Sequence, residues 1–355
     1  MTKSLFGSQT ALSFTGADLS PIASISTESL FPSVKTGGTA AMSFIGAVQN
    51  VVVPVATAAG GSPIVSQFLN AANTEYSTSG TPAGMTAFLV NGKQLSMTDN
   101  TTGLSAKVWL TSQGQVIIAY QGTTGGNNLF SDPTIAISQI GADIGVYGKT
   151  TPAAETEALS FAKTVEGDAG ADGISAANVF VTGHSLGGIE AEYVAQQTGL
   201  GGIGFEPTGL PTSAAAGATG QNFVDVVTYG DPVGNYSSDI AGEQPFAPSS
   251  GLAHYGQIVM IGDPSAQTTL SSDVKNWNPN NFITGTGIVL NLAGLLIDYH
   301  LPDTQAFNLG VTLSPTNIAD DIGDKTGPVL NVGSLDIAQL IAGYANNSPV
   351  IHAVS

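Results

Sequence analysis

The stretch VFVTGHSLGG, Val179–Gly188, is the one on which the fold turns. Its first four residues are apolar or β-branched and read as a buried strand. The residues after it, up to Gly199, read as a helix that stops at a glycine. Between the two, Gly183-His184-Ser185-Leu186-Gly187 fits the pattern G-x-S-x-G. A serine on so sharp a turn is held in a strained backbone conformation. Larger flanking residues would clash there, so glycine is required on either side. Its hydroxyl then stands clear of the sheet at the positive end of a helix, where a developing oxyanion is stabilised. Gly and Ser are abundant in this chain, and the pattern alone could be a structural turn. The strand before it and the helix after it favour a nucleophile.

Working outward, MTAFLV and KQLSMT read as a hairpin turning at Asn91-Gly92. SAKVWLT and QVIIAYQG read as two further strands, the second apolar throughout and therefore central. The segment from Pro152 to Gly170 predicts a helix, with proline at its start, acids in its first turn and apolar residues recurring at Leu159, Phe161, Ala162 and Val165. GGIGFE, FVDVVTYG and GQIVMIG are apolar strands, each followed by turn residues. Strands alternating with helices predict an α/β fold with a mostly parallel central sheet flanked by helices and an elaborated N-terminal region.

Composition narrows the function. The chain has 355 residues, is 42% hydrophobic and 10% charged, and so has a core to bury. Its net charge is -18 and its few basic residues are all lysine, which leaves no patch to track a phosphate backbone; nucleic acid is not an expected partner. With no cysteine, disulfides, thiol catalysis and zinc–thiolate sites are excluded. This composition resembles that of exported bacterial proteins, and a secreted location is expected. The N-terminal stretch does not read as a signal peptide, which directs the search for an address to the C-terminal segment. Ile283–Ile297, the longest apolar run, is too short and too rich in glycine to predict a membrane span.

VTGHSLGG resembles the nucleophile turn of the class 3 lipases, α/β-hydrolases that cleave acyl esters. Two further pieces resemble that family in the right order. VIIAYQGTTG, Val116–Gly125, looks like its strand ending in an aromatic residue before Arg-Gly-Ser/Thr, and VTYGDPVGN, Val227–Asn235, looks like its strand after the nucleophile. The likeness covers about residues 85–305. Arginines usual in both motifs are missing; Gln121 stands at one, and at the other Pro232 runs directly into Val233. The resemblance implies an α/β-hydrolase core over residues 85–310, with an N-terminal extension, 1–84, packed on it and a C-terminal extension, 311–355. It implies a serine carboxylic-ester hydrolase of lipase type acting on a lipid or other acyl ester, with phospholipase A1 or polyester depolymerase activity as neighbouring outcomes. A non-catalytic surface or binding protein that keeps the fold is the alternative from another class.

Acyl transfer needs a base for the serine, a carboxylate to orient that base, and two donors for the oxyanion. One donor should be the N–H of Leu186, the residue after the nucleophile. By resemblance the second is Thr123. In this fold class the order is Ser, acid, His, and only His254, His300 and His352 follow Ser185. His300, in LIDYHLPD, suits a base carried on a loop and is preferred. Asp263, in IGDPS, follows an apolar strand and is the preferred acid, ahead of Asp231 and Asp239. His184 is expected to brace the turn. No cofactor is required, and ADDIGDK lacks the spacing of a calcium loop. The apolar segments 134–148 and 283–297 are candidates for a lid or core, with interfacial contact as the consequence of a lid.

Overall fold

The computed structural model describes residues 61–77, 79–122, 153–211, 220–237, 251–275, 291–292, 294–316, 323 and 325–344. Eight strands form one sheet: β1 (Met85–Ala87), β2 (Ser96–Thr98), β3 (Ser105–Thr111), β4 (Val116–Tyr120), β5 (Val179–His184), β6 (Gly201–Phe205), β7 (Phe223–Thr228) and β8 (Gln257–Ile261). Their order is β1-β3-β4-β5-β6-β7-β8, with β2 beside β1 along the same edge of β3. Strands β4 to β8 are all parallel, and the pairings of β3 with β1, β2 and β4 are antiparallel. The topology is that of an α/β-hydrolase. The expected hairpin is present: Leu89–Val90 pairs with Lys93–Gln94, and Asn91 and Gly92 both have positive φ, as a two-residue type I′ turn demands.

Buried on both faces, the central strands divide their side chains between two cores. Ile117 and Ala119 of β4 enter one, while Val116, Ile118 and Tyr120 enter the other. The first core is covered by α1 (Val65–Thr74), α5 (Pro302–Leu309) and α6 (Ile337–Tyr344), through Val65, Phe68, Leu309 and Leu340. The second is covered by α2 (Ala153–Ala171) and α3 (Leu186–Thr198), through Ala158, Phe161, Val165 and Val194. This period-two division explains why β4 reads as an unbroken apolar run and why β5 and β7 are buried along their whole length. The helix α4 (Pro264–Lys275) follows β8.

Residues 53–355 form one compact unit. Residues on both sides of 85–310 pack into its core. Helix α1 lies upstream of that range and α6 downstream, and they meet: Val65 N–H donates to Leu335 C=O (2.9 Å), and Ile337 N–H to Ser62 Oγ (2.8 Å). Among the described residues, no helix is long and apolar enough to cross a membrane. Of the two apolar segments, 134–148 lies outside the described residues; the described end of the other is core, with Leu292, Leu295 and Leu296 buried.

The chain deals with several buried acids by protonation rather than by ion pairs. Glu155 of α2 and Glu190 of α3 are both buried. Burial pushes Glu155 up to about 8, and burial followed by the charge of Glu155 pushes Glu190 well above the carboxylate range. A carboxyl raised by folding favours the native state most fully below its unfolded value, and that stability is lost as pH rises towards the folded value. For Glu155 the window runs from 4.5 to about 8. Glu155→Gln, which fixes the neutral form, is therefore expected to melt with wild type at pH 4.5 and several degrees above it at pH 8, as measured by scanning calorimetry.

Candidate active site

Ser185 sits between β5 and α3 with φ 58° and ψ -124°, a conformation that few residues other than glycine adopt. Its N–H donates to Phe205 C=O at the end of β6 (2.8 Å), which ties the strained residue to the neighbouring strand. The glycines around it are demanded by space. A Cβ on Gly183 would overlap the carbonyl of Gly187, and one on Gly187 would overlap the carbonyl of Tyr120. A Cβ on Gly122 would strike Tyr76 Oη and His184 O and come 3.2 Å from Ser185 Cβ. The chain leaving β4 thus runs directly against the serine. Thr123, the next residue, lies outside the described residues. Leu186 is the first residue of α3, and its N–H belongs to the helix turn that has no intrahelical acceptor.

His184 does more than brace its own turn. Its Nε2 meets the carbonyl of His300 at 2.6 Å, and its Nδ1 meets Tyr76 Oη at 2.6 Å. A carbonyl only accepts, so Nε2 carries the hydrogen and Nδ1 accepts from the tyrosine. Burial, then the charge of His300, lowers the His184 pKa to about 3, and the ring is neutral. It clamps the chain just after α1 to the loop that carries His300. Gln305 Nε2 donates to the same His300 carbonyl (2.9 Å).

The imidazole of His300 lies beside that of His184, with ring centroids 4.7 Å apart. Its Nδ1 meets Asp231 Oδ2 at 3.0 Å, with both side chains buried. Its Nε2 is buried and has no hydrogen-bond partner among the described residues. Asp231 comes three residues after β7. Its Oδ1 accepts from Val233 N–H (3.0 Å) and its Oδ2 from Gly234 N–H (2.8 Å). Burial pushes this carboxyl up. The charge and hydrogen bond of His300, together with bonds from Glu206 and the Gly234 amide, outweigh burial and hold it below the usual carboxylate range.

The structure does not bring Asp263 to His300. Its Oδ1 accepts from Ser265 N–H (2.8 Å) in the first turn of α4, where it serves as a helix cap with Pro264 behind it. The carboxylate on His300 is Asp231. Both aspartates stand in Gly-Asp-Pro at the end of a strand. They differ in burial, which sequence does not display: Asp231 is wholly enclosed, Asp263 half-exposed. His254 is placed as a structural residue, with Nδ1 against Ser237 Oγ (2.8 Å) and Nε2 against Pro207 O (3.2 Å). Asp239 and His352 lie outside the described residues. Where the family motif has arginine, Gln121 donates instead to the backbone carbonyl of Glu75 (2.6 Å).

Two residues outside the sequence-based set belong to this assembly. One is Tyr76. The other is Glu206, which follows β6 with φ 53° and is fully buried. One ligand-type atom from each of Glu206, Asp231 and His300 falls within 4.8 Å of the others. That donor set is closed on itself by hydrogen bonds: His300 Nδ1 is engaged by Asp231, and Glu206 Oε1 by Thr228 and Gln305. The set suits shared protons better than a metal ion.

No family model matches the chain, and no curated protein is significantly similar to it. Among solved structures, it is similar to a triacylglycerol lipase from Penicillium expansum, at 14% identity and a TM-score of 0.32, over 55% of this chain and 75% of that one. It is also similar to the extracellular lipase LipA from Serratia marcescens, at 19% identity and a TM-score of 0.28, over 47% of this chain and 30% of the lipase. These likenesses are too low to transfer an activity.

Tyr76→Phe removes the one hydroxyl that, among the described residues, reaches His184 Nδ1, and it leaves a buried acceptor unmet. It is expected to lower the unfolding free energy by about 1–3 kcal/mol, measured by urea denaturation of the folded variant against wild type.

Proposed function

We propose that the chain is a serine hydrolase that cleaves carboxylic esters through an acyl-enzyme, with Ser185 as nucleophile, His300 as base and Asp231 as the carboxylate that orients the base. The observation that carries this reading is the state of the His300 ring. Asp231 holds a hydrogen on Nδ1, so Nε2 presents a lone pair, buried and without a partner among the described residues, beside the turn that lifts Ser185. In the reaction, the Ser185 hydroxyl gives its proton to Nε2 as Oγ bonds to the ester carbonyl carbon. The tetrahedral oxyanion is met by Leu186 N–H and, as the family resemblance implies, by Thr123. Collapse of the intermediate breaks the bond to the alcohol oxygen, which takes the proton from His300. Water, deprotonated by the same nitrogen, then releases the acid and restores Ser185.

A lipid ester as substrate is supported by the resemblance of the three motifs and by a net charge of -18, which disfavours strongly anionic partners. The same apparatus serves phospholipids and polyesters, and the acyl pocket selects among them. Export of the protein follows from composition and is part of this proposal.

A fluorophosphonate probe is expected to label wild type and not Ser185→Ala. Asp231→Asn is expected to cut kcat on a short-chain ester by about 10³–10⁴-fold, as loss of the orienting carboxylate does elsewhere, while Asp263→Asn stays within a few-fold. Failure of wild type to label would turn the reading towards a non-catalytic protein that keeps the fold. Equal losses at Asp231 and Asp263 would overturn the assignment of the acid.

A further inference from the structure

The polar network does not end at Asp231. Glu206 is the first residue past β6, as Asp231 is the third past β7, and the two strands are parallel neighbours. The two carboxyl groups therefore project from the same end of the sheet. Glu206 Oε1 accepts from Thr228 N–H (2.9 Å), Thr228 Oγ1 (2.5 Å) and Gln305 Nε2 (3.2 Å). Oε2 lies towards Asp231: Gly234 sits between the two acids, and a Cβ there would overlap Glu206 Oε2 and come 3.2 Å from Asp231 Oδ2. The positive φ of Glu206, unusual for a residue other than glycine, sustains this placement.

The two carboxyl groups are both fully buried and their oxygens lie within 4.8 Å of each other; two carboxylates so close in a buried site do not both ionise, and one keeps its proton. Among the described residues, the cation-forming group against the pair is the imidazole of His300, and it lies on Asp231. Asp231 also takes two backbone N–H bonds, which favour the anion. The proton then belongs to Glu206. Burial, then the charge of Asp231, raises the Glu206 pKa well above the carboxylate range, in the same direction.

We infer that Glu206 is a positioning residue that acts as a neutral carboxylic acid, donating from Oε2 to Asp231 and holding that carboxylate on His300 Nδ1. The inference rests on the reading of His300 as the base. Physically, the donated bond disperses the charge of Asp231 in a site buried from bulk solvent. It lowers the carboxylate's tendency to take the Nδ1 proton and keeps Nε2 as the nitrogen that receives the proton of Ser185. The Gln305 side chain spans the network, since its Nε2 reaches both Glu206 Oε1 and the carbonyl of His300.

The test compares Glu206→Gln with Glu206→Ala in the full chain, by steady-state hydrolysis of a short-chain ester and by the low-field proton resonance of His300 Nδ1. Glutamine keeps a donor for Asp231 and an acceptor for Thr228; alanine keeps neither. Alanine is expected to lower kcat by about 10–100-fold with KM unchanged and to move the Nδ1 resonance downfield, because Asp231 then draws harder on that proton. Glutamine is expected to recover most of the kcat loss and the wild-type resonance. An alanine variant with wild-type kcat and resonance would overturn the inference. So would a glutamine variant as impaired as alanine, which would mean that Glu206 works as an anion or a metal ligand. If Glu206→Ala does not fold, Gly234→Ala intrudes on the same pair from outside and is expected to shift the resonance in the same direction; an unshifted resonance there would count against the inference. The resonance does not depend on turnover. A wild type that fails to label at Ser185 while its Nδ1 proton responds to Glu206→Ala would sink the hydrolase reading and leave the Glu206–Asp231 bond standing.

Discussion

A serine with φ 58° at the head of a helix constrains everything within reach of its turn. Gly183 and Gly187 are small because their Cβ positions are already filled by backbone, and Gly122 is small because Tyr76, His184 and Ser185 occupy its surroundings. Three segments distant in sequence thus converge on a single residue, and the bond from Ser185 N–H to Phe205 C=O adds a fourth. The strain is borne by the parallel sheet, whose strands β4, β5 and β6 supply the close approaches. A strand–turn–helix unit outside such a sheet would relax to a commoner conformation and lower the hydroxyl.

The second principle of the architecture is the way charge is handled in a chain that has no arginine. Glu75, a buried acid, is paired with a lysine, Lys107 at 3.2 Å, and Trp109 Nε1 adds a bond to its other oxygen. Elsewhere protons and backbone amides stand in for cations. Glu155 and Glu190 are raised by burial, Glu206 by burial and by Asp231, and Asp231 itself is stabilised by amides and by His300. Such a solution avoids the desolvation of a guanidinium in the core. It also makes the native state sensitive to pH at positions far from the surface, and it links the site to the network that holds it.

His184 shows how one side chain can serve two elements. As the residue before Ser185 its backbone belongs to the turn, while its ring bridges Tyr76 and the carbonyl of His300. The loop bearing His300 is held by that carbonyl twice, from His184 and from Gln305, and by Asp231 through the ring. The position of the imidazole is therefore set by its own main chain as much as by its side chain.

Much of this was legible in the residues. The G-x-S-x-G turn between a buried strand and a helix, the Asn91-Gly92 hairpin, the unbroken apolar strands and His300 on its Leu-Pro loop are local signals, because turn geometry and strand burial are dictated within a few residues. Which carboxylate meets His300 was not legible. Asp231 and Asp263 share the same Gly-Asp-Pro context, and only the packing of β7 against β6 and β8 encloses one while the other caps α4. Tyr76 and Glu206 were missed for the same reason: a tyrosine after a helix and a glutamate after a strand carry no mark of the site until the sheet sets them beside residues more than twenty positions away. Helices α1 and α6 join the same core through contacts distant in sequence. Local sequence specifies conformations that depend on near neighbours; the partner of a buried charge is chosen by strand order and burial, which exist only once the chain has closed on itself.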